Sequence, residues 1–150
     1  MTKKTEKTDK TNIQLIDEDV VCAEVMKQHP SVYDDLLFDE YNIKDKLEKN
    51  SYQYQQFRML CLSEKHKLRK IEILRDEYIG KLYNKLRYED AKALTKVEIE
   101  KYYIPTDPKV MEFNRLYMRQ EMRVDVYNYI AEAFKTQGFT MATYVKNLQI

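Results

Sequence analysis

A chain of 150 residues with 26 Lys and Arg against 25 Asp and Glu has a net charge of +1, so bulk charge selects no class of partner. Only 2 Gly and 3 Pro punctuate it, which disfavours a strand-and-turn fold and favours long helices. Its two cysteines, Cys22 and Cys61, lie far apart without Cys or His companions, so neither a disulfide framework nor a zinc site is indicated, and no apolar run approaches the ~18 residues of a membrane span.

The first segment, MTKKTEKTDKTN, lacks the apolar stretch of a secretory signal and reads as a solvated, disordered tail over 1–12. Residues 13–40 form an acidic arm: ten Asp and Glu stand against three Lys between Ile13 and Glu48. The arm is weakly periodic and broken at His29-Pro30, after which Ser31 or Asp34 opens a short helix toward Phe38. Residues 41–150 read as a single helical domain.

The fold expected for that domain is all-α. No proline occurs from about Ile43 to Tyr88, and Leu47, Tyr54, Phe57, Cys61, Leu68, Ile71, Leu74, Tyr78, Leu82 and Leu86 recur in steps that a helix lines up on one stripe. This predicts a first long helix over about 43–88. Between Lys65 and Arg87 it is basic, with eight Lys and Arg against three acids. Thr95-Lys96-Val97-Glu98 has capping-box spacing and opens a short helix over about 96–103, which Pro105 closes. Asp107 then serves as N-cap with Pro108 at the first helical position. A second long helix is expected over about 108–136, closing at Gly138 as its C′ residue, before a short C-terminal helix over about 140–148.

The second long helix carries Phe113, Tyr117, Gln120, Val124, Tyr127, Ala131 and Phe134 in alternating steps of four and three. A near-heptad stripe of this kind marks a helix–helix seam, with Gln120 as its one polar, register-setting position. Phe113, Tyr117, Val124, Tyr127 and Phe134 are therefore the expected oligomerisation residues. Tyr144 and Leu148 of the last short helix join them, since so short a helix needs a surface to dock on.

No catalytic constellation is present. His29 and His66 are isolated, no phosphate-binding glycine loop or nucleophile elbow occurs, and adjacent acid pairs such as Asp34-Asp35 do not face each other on a helix. The expectation is a non-enzyme with no metal and no cofactor. The basic helix is the better candidate site. Lys67, Lys70, Lys81 and Lys85 fall near one face, Arg69, Arg75 and Arg87 flank it, and Tyr78, Tyr83 and Tyr88 lie among them. Such cations can track phosphates while tyrosine rings stack on unpaired bases. An ordinary solvated face, laced with pairs such as Glu72–Arg75 and Glu77–Lys81, fits the same pattern. A second ridge, Arg115, Arg119 and Arg123, has Glu112 and Glu121 within pairing reach and reads as salt-bridging within or between subunits.

The run TDPKVMEFNRLYMRQEMRVDVYNYIAEAFKTQGFTMATYVKNLQI resembles the end of the phage UvsY recombination mediators. An acidic N-cap (Asp107) opens a long helix. An aromatic-rich stretch (Tyr127 to Phe134), a short turn (Gln137-Gly138-Phe139) and a small terminal helix follow. Upstream, LRKIEILRDEYIGKLYNKLRYED is similar to the basic helix of that family. Lys81-Leu82 takes the place of its Arg-Leu element and Tyr88 that of its tyrosine end, whereas Ile79 stands where its first Lys would be. The resemblance spans roughly residues 40–150. It implies a homo-oligomeric ring that binds single-stranded DNA, and with the charge and tyrosine placement on the basic helix the residues expected to meet the strand are Lys67, Lys70, Lys81, Tyr83, Lys85, Arg87 and Tyr88. It also implies that this ring loads a RecA-like phage recombinase onto strands coated by single-stranded-DNA-binding protein, in the cytoplasm of the infected bacterial host. The rival expectation is a helical coiled-coil scaffold or adaptor whose basic helix serves an acidic protein partner.

Overall fold

The computed structural model describes residues 19–89 and 94–148, and the tail expected over 1–12 lies outside them. Among the described residues the chain is all-helical, without strands. Helix α1 occupies 19–28, α2 is Val32–Leu36, α3 is Ile43–Asn84, α4 is Lys96–Glu98 and α5 is Pro108–Leu148. Two π-helical turns, Lys85–Glu89 and Ile99–Tyr103, continue α3 and α4. The chain divides into two compact units: unit 1 holds residues 19–64 and 122–148, and unit 2 holds 65–121.

In unit 1, residues 19–40, expected as an arm ahead of the helical domain, contribute Val21, Val25 and Val32 to the core. These pack in a unit whose buried set includes Ile43, Phe57 and Cys61 of α3 and Val124, Tyr127, Ile130, Ala131, Phe134 and Met141 of α5. At its centre the Phe57 and Phe134 rings stack 5.4 Å apart at 13°, and the Phe57 and Tyr127 rings stack 6.4 Å apart. The His29 imidazole meets both Phe57 and Tyr127 edge-on, with its Nε2 3.1 Å from the Tyr127 hydroxyl. Two polar side chains entering this core, Asn50 and Gln137, are matched, whereas the buried Gln53 Oε1 has no hydrogen-bond partner among the described residues. The Asn50 amide donates to the Phe134 carbonyl at 2.7 Å and to Gln137 Oε1 at 2.9 Å, and the buried Gln137 in turn donates to the Asp35 carbonyl at 2.7 Å. Arg123 pairs with Glu24 of α1 at 2.6 Å, so the third member of the arginine ridge bridges two helices of one chain.

The short helix expected after Ser31 is α2, although Ser31 donates to the Asp35 carboxylate and makes no cap bond to the backbone. The start of α3 is fixed by a reciprocal turn: Asp39 Oδ1 accepts from the Tyr41 and Asn42 N–H groups, and Asn42 Oδ1 accepts from the Asp39 N–H. Those bonds satisfy donors that would otherwise be orphaned ahead of the first turn.

The expected break at Gly138 is corrected by the structure. Helix α5 runs unbroken from Pro108 to Leu148, so there is no separate helix over 140–148, and no glycine has a positive φ. A C′ glycine ends a helix by turning left-handed; Gly138 instead sits in the helix where the Asn50 side chain lies against it, at a distance a Cβ could not tolerate. Its smallness admits a neighbouring side chain. Beyond it, the fully buried Met141 anchors the next turn and keeps the helix going.

Unit 2 is an antiparallel pairing of the basic part of α3 with the first part of α5. Tyr78 packs against Phe113 at 5.9 Å and donates its hydroxyl to Asp107, while Arg75 reaches Asn114 at 3.3 Å and lies 4.6 Å over the Tyr117 ring. Asp107 Oδ1 also accepts from the Lys109 and Val110 N–H groups, which makes it the cap of α5 that the sequence predicts. Ile99 and Val110 are the most deeply buried apolar side chains of this unit.

The capping box at Thr95 is complete: Thr95 N–H donates to Glu98 at 2.8 Å, and Thr95 Oγ1 accepts from the Glu98 N–H at 3.3 Å. The Thr95 backbone N–H, and then its hydroxyl, hold the Glu98 carboxyl below its usual 4.5. A lowered carboxyl supports the fold above its unfolded value and loses that contribution as pH falls through its folded value. The Thr95 amide proton resonance is therefore expected to titrate with a midpoint below 4.5; a midpoint at or above 4.5 would show that the box does not hold in solution.

Candidate nucleic-acid interface

The described residues of unit 2 carry thirteen Lys and Arg against nine Asp and Glu, and those of unit 1 carry eight against eleven. The basic excess of the chain thus sits on the unit that contains every residue expected to meet DNA. Lys67, Lys70 and Lys81 are exposed on α3, Lys85 is exposed on the π turn that follows, and Tyr88 on the same turn is 75% exposed. Lys67 and Lys81 are two heptads apart, a spacing that returns to one flank of a packed helix. A π turn widens the helix locally and re-aims the side chains it carries, and such turns recur at functional positions.

Tyr83 and Arg87 are placed differently. Tyr83 is two residues from Lys81, about 200° around the helix, and is half-buried, so it does not share the lysine flank. Arg87 is half-buried and donates to the Leu94 carbonyl at 3.0 Å, which ties down the start of the following segment. Tyr78 belongs to the packing between α3 and α5. Partial burial, and then its bond to the Asp107 carboxylate, raise its hydroxyl above the ordinary value.

Ion pairing on this helix departs from the expected pattern. Glu72 pairs with Arg69 at 2.8 Å and Arg75 approaches Asp76 at 3.6 Å. Among the described residues no acid lies within ion-pair distance of Lys70, Lys81 or Lys85. Three cations are therefore left facing solvent on one unit. The second π turn adds Lys101 with Tyr102 and Tyr103, 65% and 42% exposed. Sequence reasoning passes over these two tyrosines, though the Lys-Tyr-Tyr triplet is their signal.

The expected oligomerisation residues separate into three groups. Val124, Tyr127 and Phe134 are 7%, 3% and 0% exposed, enclosed within unit 1, and have no surface to offer another chain. Phe113 and Tyr117 are half-buried in unit 2 against Tyr78 and Arg75. Tyr144 and Leu148 are on the surface, at 37% and 64%. The seam that the heptad stripe announces is closed inside the chain.

Among the described residues no group of three His, Cys, Asp or Glu side chains converges as metal ligands, and no helix is long and apolar enough to cross a membrane. No protein-family model, no curated protein and no solved structure matches the chain.

Proposed function

We propose that the protein is a non-catalytic recombination mediator. In this reading unit 2 binds single-stranded DNA, and further copies of the chain assemble with it into a homo-oligomeric ring. The ring helps to load a RecA-like phage recombinase onto strands coated by single-stranded-DNA-binding protein, in homologous recombination, repair and recombination-dependent replication. Its place is the cytoplasm of an infected bacterial host. The observation that carries the reading is the set of exposed cations, Lys70, Lys81 and Lys85, together with an exposed Tyr88 ring, on the basic unit. Mobile cations neutralise phosphates without reading sequence, and an exposed ring gives unpaired bases a face to stack on. The recombinase and the coating protein enter through the resemblance to UvsY mediators. The assembly reading rests on the exposed Tyr144 and Leu148 of α5, and repeated weak phosphate binding around a ring would add avidity.

Fluorescence anisotropy with labelled oligo-dT tests it. The wild-type chain should bind in a strongly salt-dependent manner. Lys81→Ala/Lys85→Ala should weaken binding and lower the slope of log K against log salt by about 1.4, at ~0.7 for each phosphate of a single strand that is no longer neutralised. A slope unchanged by the double substitution would place the strand elsewhere. Absence of binding at low salt would favour the alternative, a helical scaffold or adaptor that uses the basic helix to hold an acidic protein partner.

A further inference from the structure

Helix α5 carries two near-heptad stripes in unit 1, one buried within the chain and the other only partly covered, with Met122, Val126 and Ala133 half-buried and Tyr129, Thr136 and Thr140 exposed. The inner stripe, Val124, Tyr127, Ala131 and Phe134, is buried. The outer stripe, Met122, Val126, Tyr129, Ala133, Thr136 and Thr140, repeats in steps of four and three and borders two open grooves. One, of about 350 Å³, has Cys22 of α1 on its wall; the other, of about 470 Å³, is walled by Leu36 and Phe38. Tyr129 lines both grooves and is 77% exposed, so the two lie to either side of its ring along the helix and together make up a trough.

We propose that this trough is a docking site for a basic amphipathic helix of a partner protein. From Met122 to Thr140 the trough is about 27 Å long at ~1.5 Å per residue, the length of a five-turn helix. Its floor is apolar or small, and Ala133 and Thr136 leave room for a second backbone to approach. A stripe in steps of four and three takes knobs at the same period from a facing helix. The charge of the rim selects the occupant. Asp125 lines the first groove and Glu132 the second; they stand seven residues apart on one flank, both are exposed, and among the described residues neither has an ion pair. Flanking charges at heptad spacing choose partner and orientation in helix–helix recognition. The fitting helix therefore carries apolar residues every three or four positions and Lys or Arg at a seven-residue interval beside them. The acidic excess of unit 1 steers such a helix toward the trough. The site lies in unit 1 and is independent of the nucleic-acid reading of unit 2.

The test uses the full chain and two fluorescent helical peptides of about 20 residues. Both have leucine at the seam positions, with lysine at the flanking positions in one and glutamate in the other. Anisotropy should show the lysine peptide binding at least about tenfold more tightly. Asp125→Lys/Glu132→Lys should invert that preference, and Tyr129→Ala should weaken the lysine peptide about tenfold. All three side chains are exposed, so circular dichroism of the variants should match wild type. Equal binding of the two peptides, or a preference that charge reversal leaves in place, would overturn the proposal. So would a fall in mass by light scattering in either variant, which would assign the trough to a second copy of the chain.

Discussion

Phe134→Ala is expected to lower the stability of unit 1 by about 3–5 kcal/mol in urea denaturation, the range for emptying a buried phenylalanine site. The side chain is fully buried, stacked on Phe57, on a turn whose carbonyl also accepts from Asn50. The loss has two parts: apolar surface is no longer buried, and the rings around the vacated space cannot close over it completely. Against a total of about 5–15 kcal/mol for a typical domain, this is a large fraction. Phe134→Asp should abolish cooperative unfolding altogether, because it strands a carboxylate among aromatic rings. A seam between chains predicts something else. There, Phe134→Ala would reduce the mass seen by light scattering and leave the monomer's urea midpoint in place. That result would refute the enclosed core.

The second large effect is a matter of sign. Glycine in a helix interior ordinarily costs about 0.8–1.0 kcal/mol relative to alanine. At Gly80 nothing lies within 4 Å of an added methyl group, so Gly80→Ala should stabilise the protein by about that amount. At Gly138 the same methyl group would collide with the Asn50 side chain, which is held by its bonds to Phe134 and Gln137. Moving it breaks those bonds, and overpacking of this kind costs about 1–3 kcal/mol. Gly138→Ala should therefore destabilise while Gly80→Ala stabilises, both read from thermal or urea midpoints. A gain at both positions would mean that Asn50 swings aside freely.

Much of the helical architecture is legible in the sequence because it is local. The unbroken run of α3, the Thr95–Glu98 box and the Asp107 cap all depend on residues a few positions apart, and each sits where the spacing places it, although Leu47 and Leu74 of the expected apolar stripe are exposed. The role of Gly138 is not legible, because the residue that decides it, Asn50, is 88 positions away. A glycine after a long helical stripe carries the same local signal as a true terminator. The heptad stripe is legible as a seam, but periodicity does not say whose helix faces it. Val21, Val25 and Val32, in a segment too short and acidic to announce a core, help to fill unit 1 from the same chain. On the basic helix, composition locates the cations. Only coordinates separate Lys70, Lys81 and Lys85, which face solvent, from Arg69 and Arg75, which are engaged.

The bonds that close unit 1 link residues far apart in the chain: His29 to Tyr127 across 98 positions, Glu24 to Arg123 across 99, Asp35 to Gln137 across 102. On a ribosome, α1, α2 and the first half of α3 emerge long before the α5 residues that cover them. Their valines and Phe57 must wait, uncovered, until the chain has been made through about Met141, and closure then carries the loop entropy of a long-range pairing. Unit 2, contiguous from Lys65 to Glu121, is under no such delay and can form while the rest is still being synthesised. The basic unit should thus exist as a folded hairpin before the acidic one does, which makes the interval between them the period in which the nascent protein is most open to aggregation.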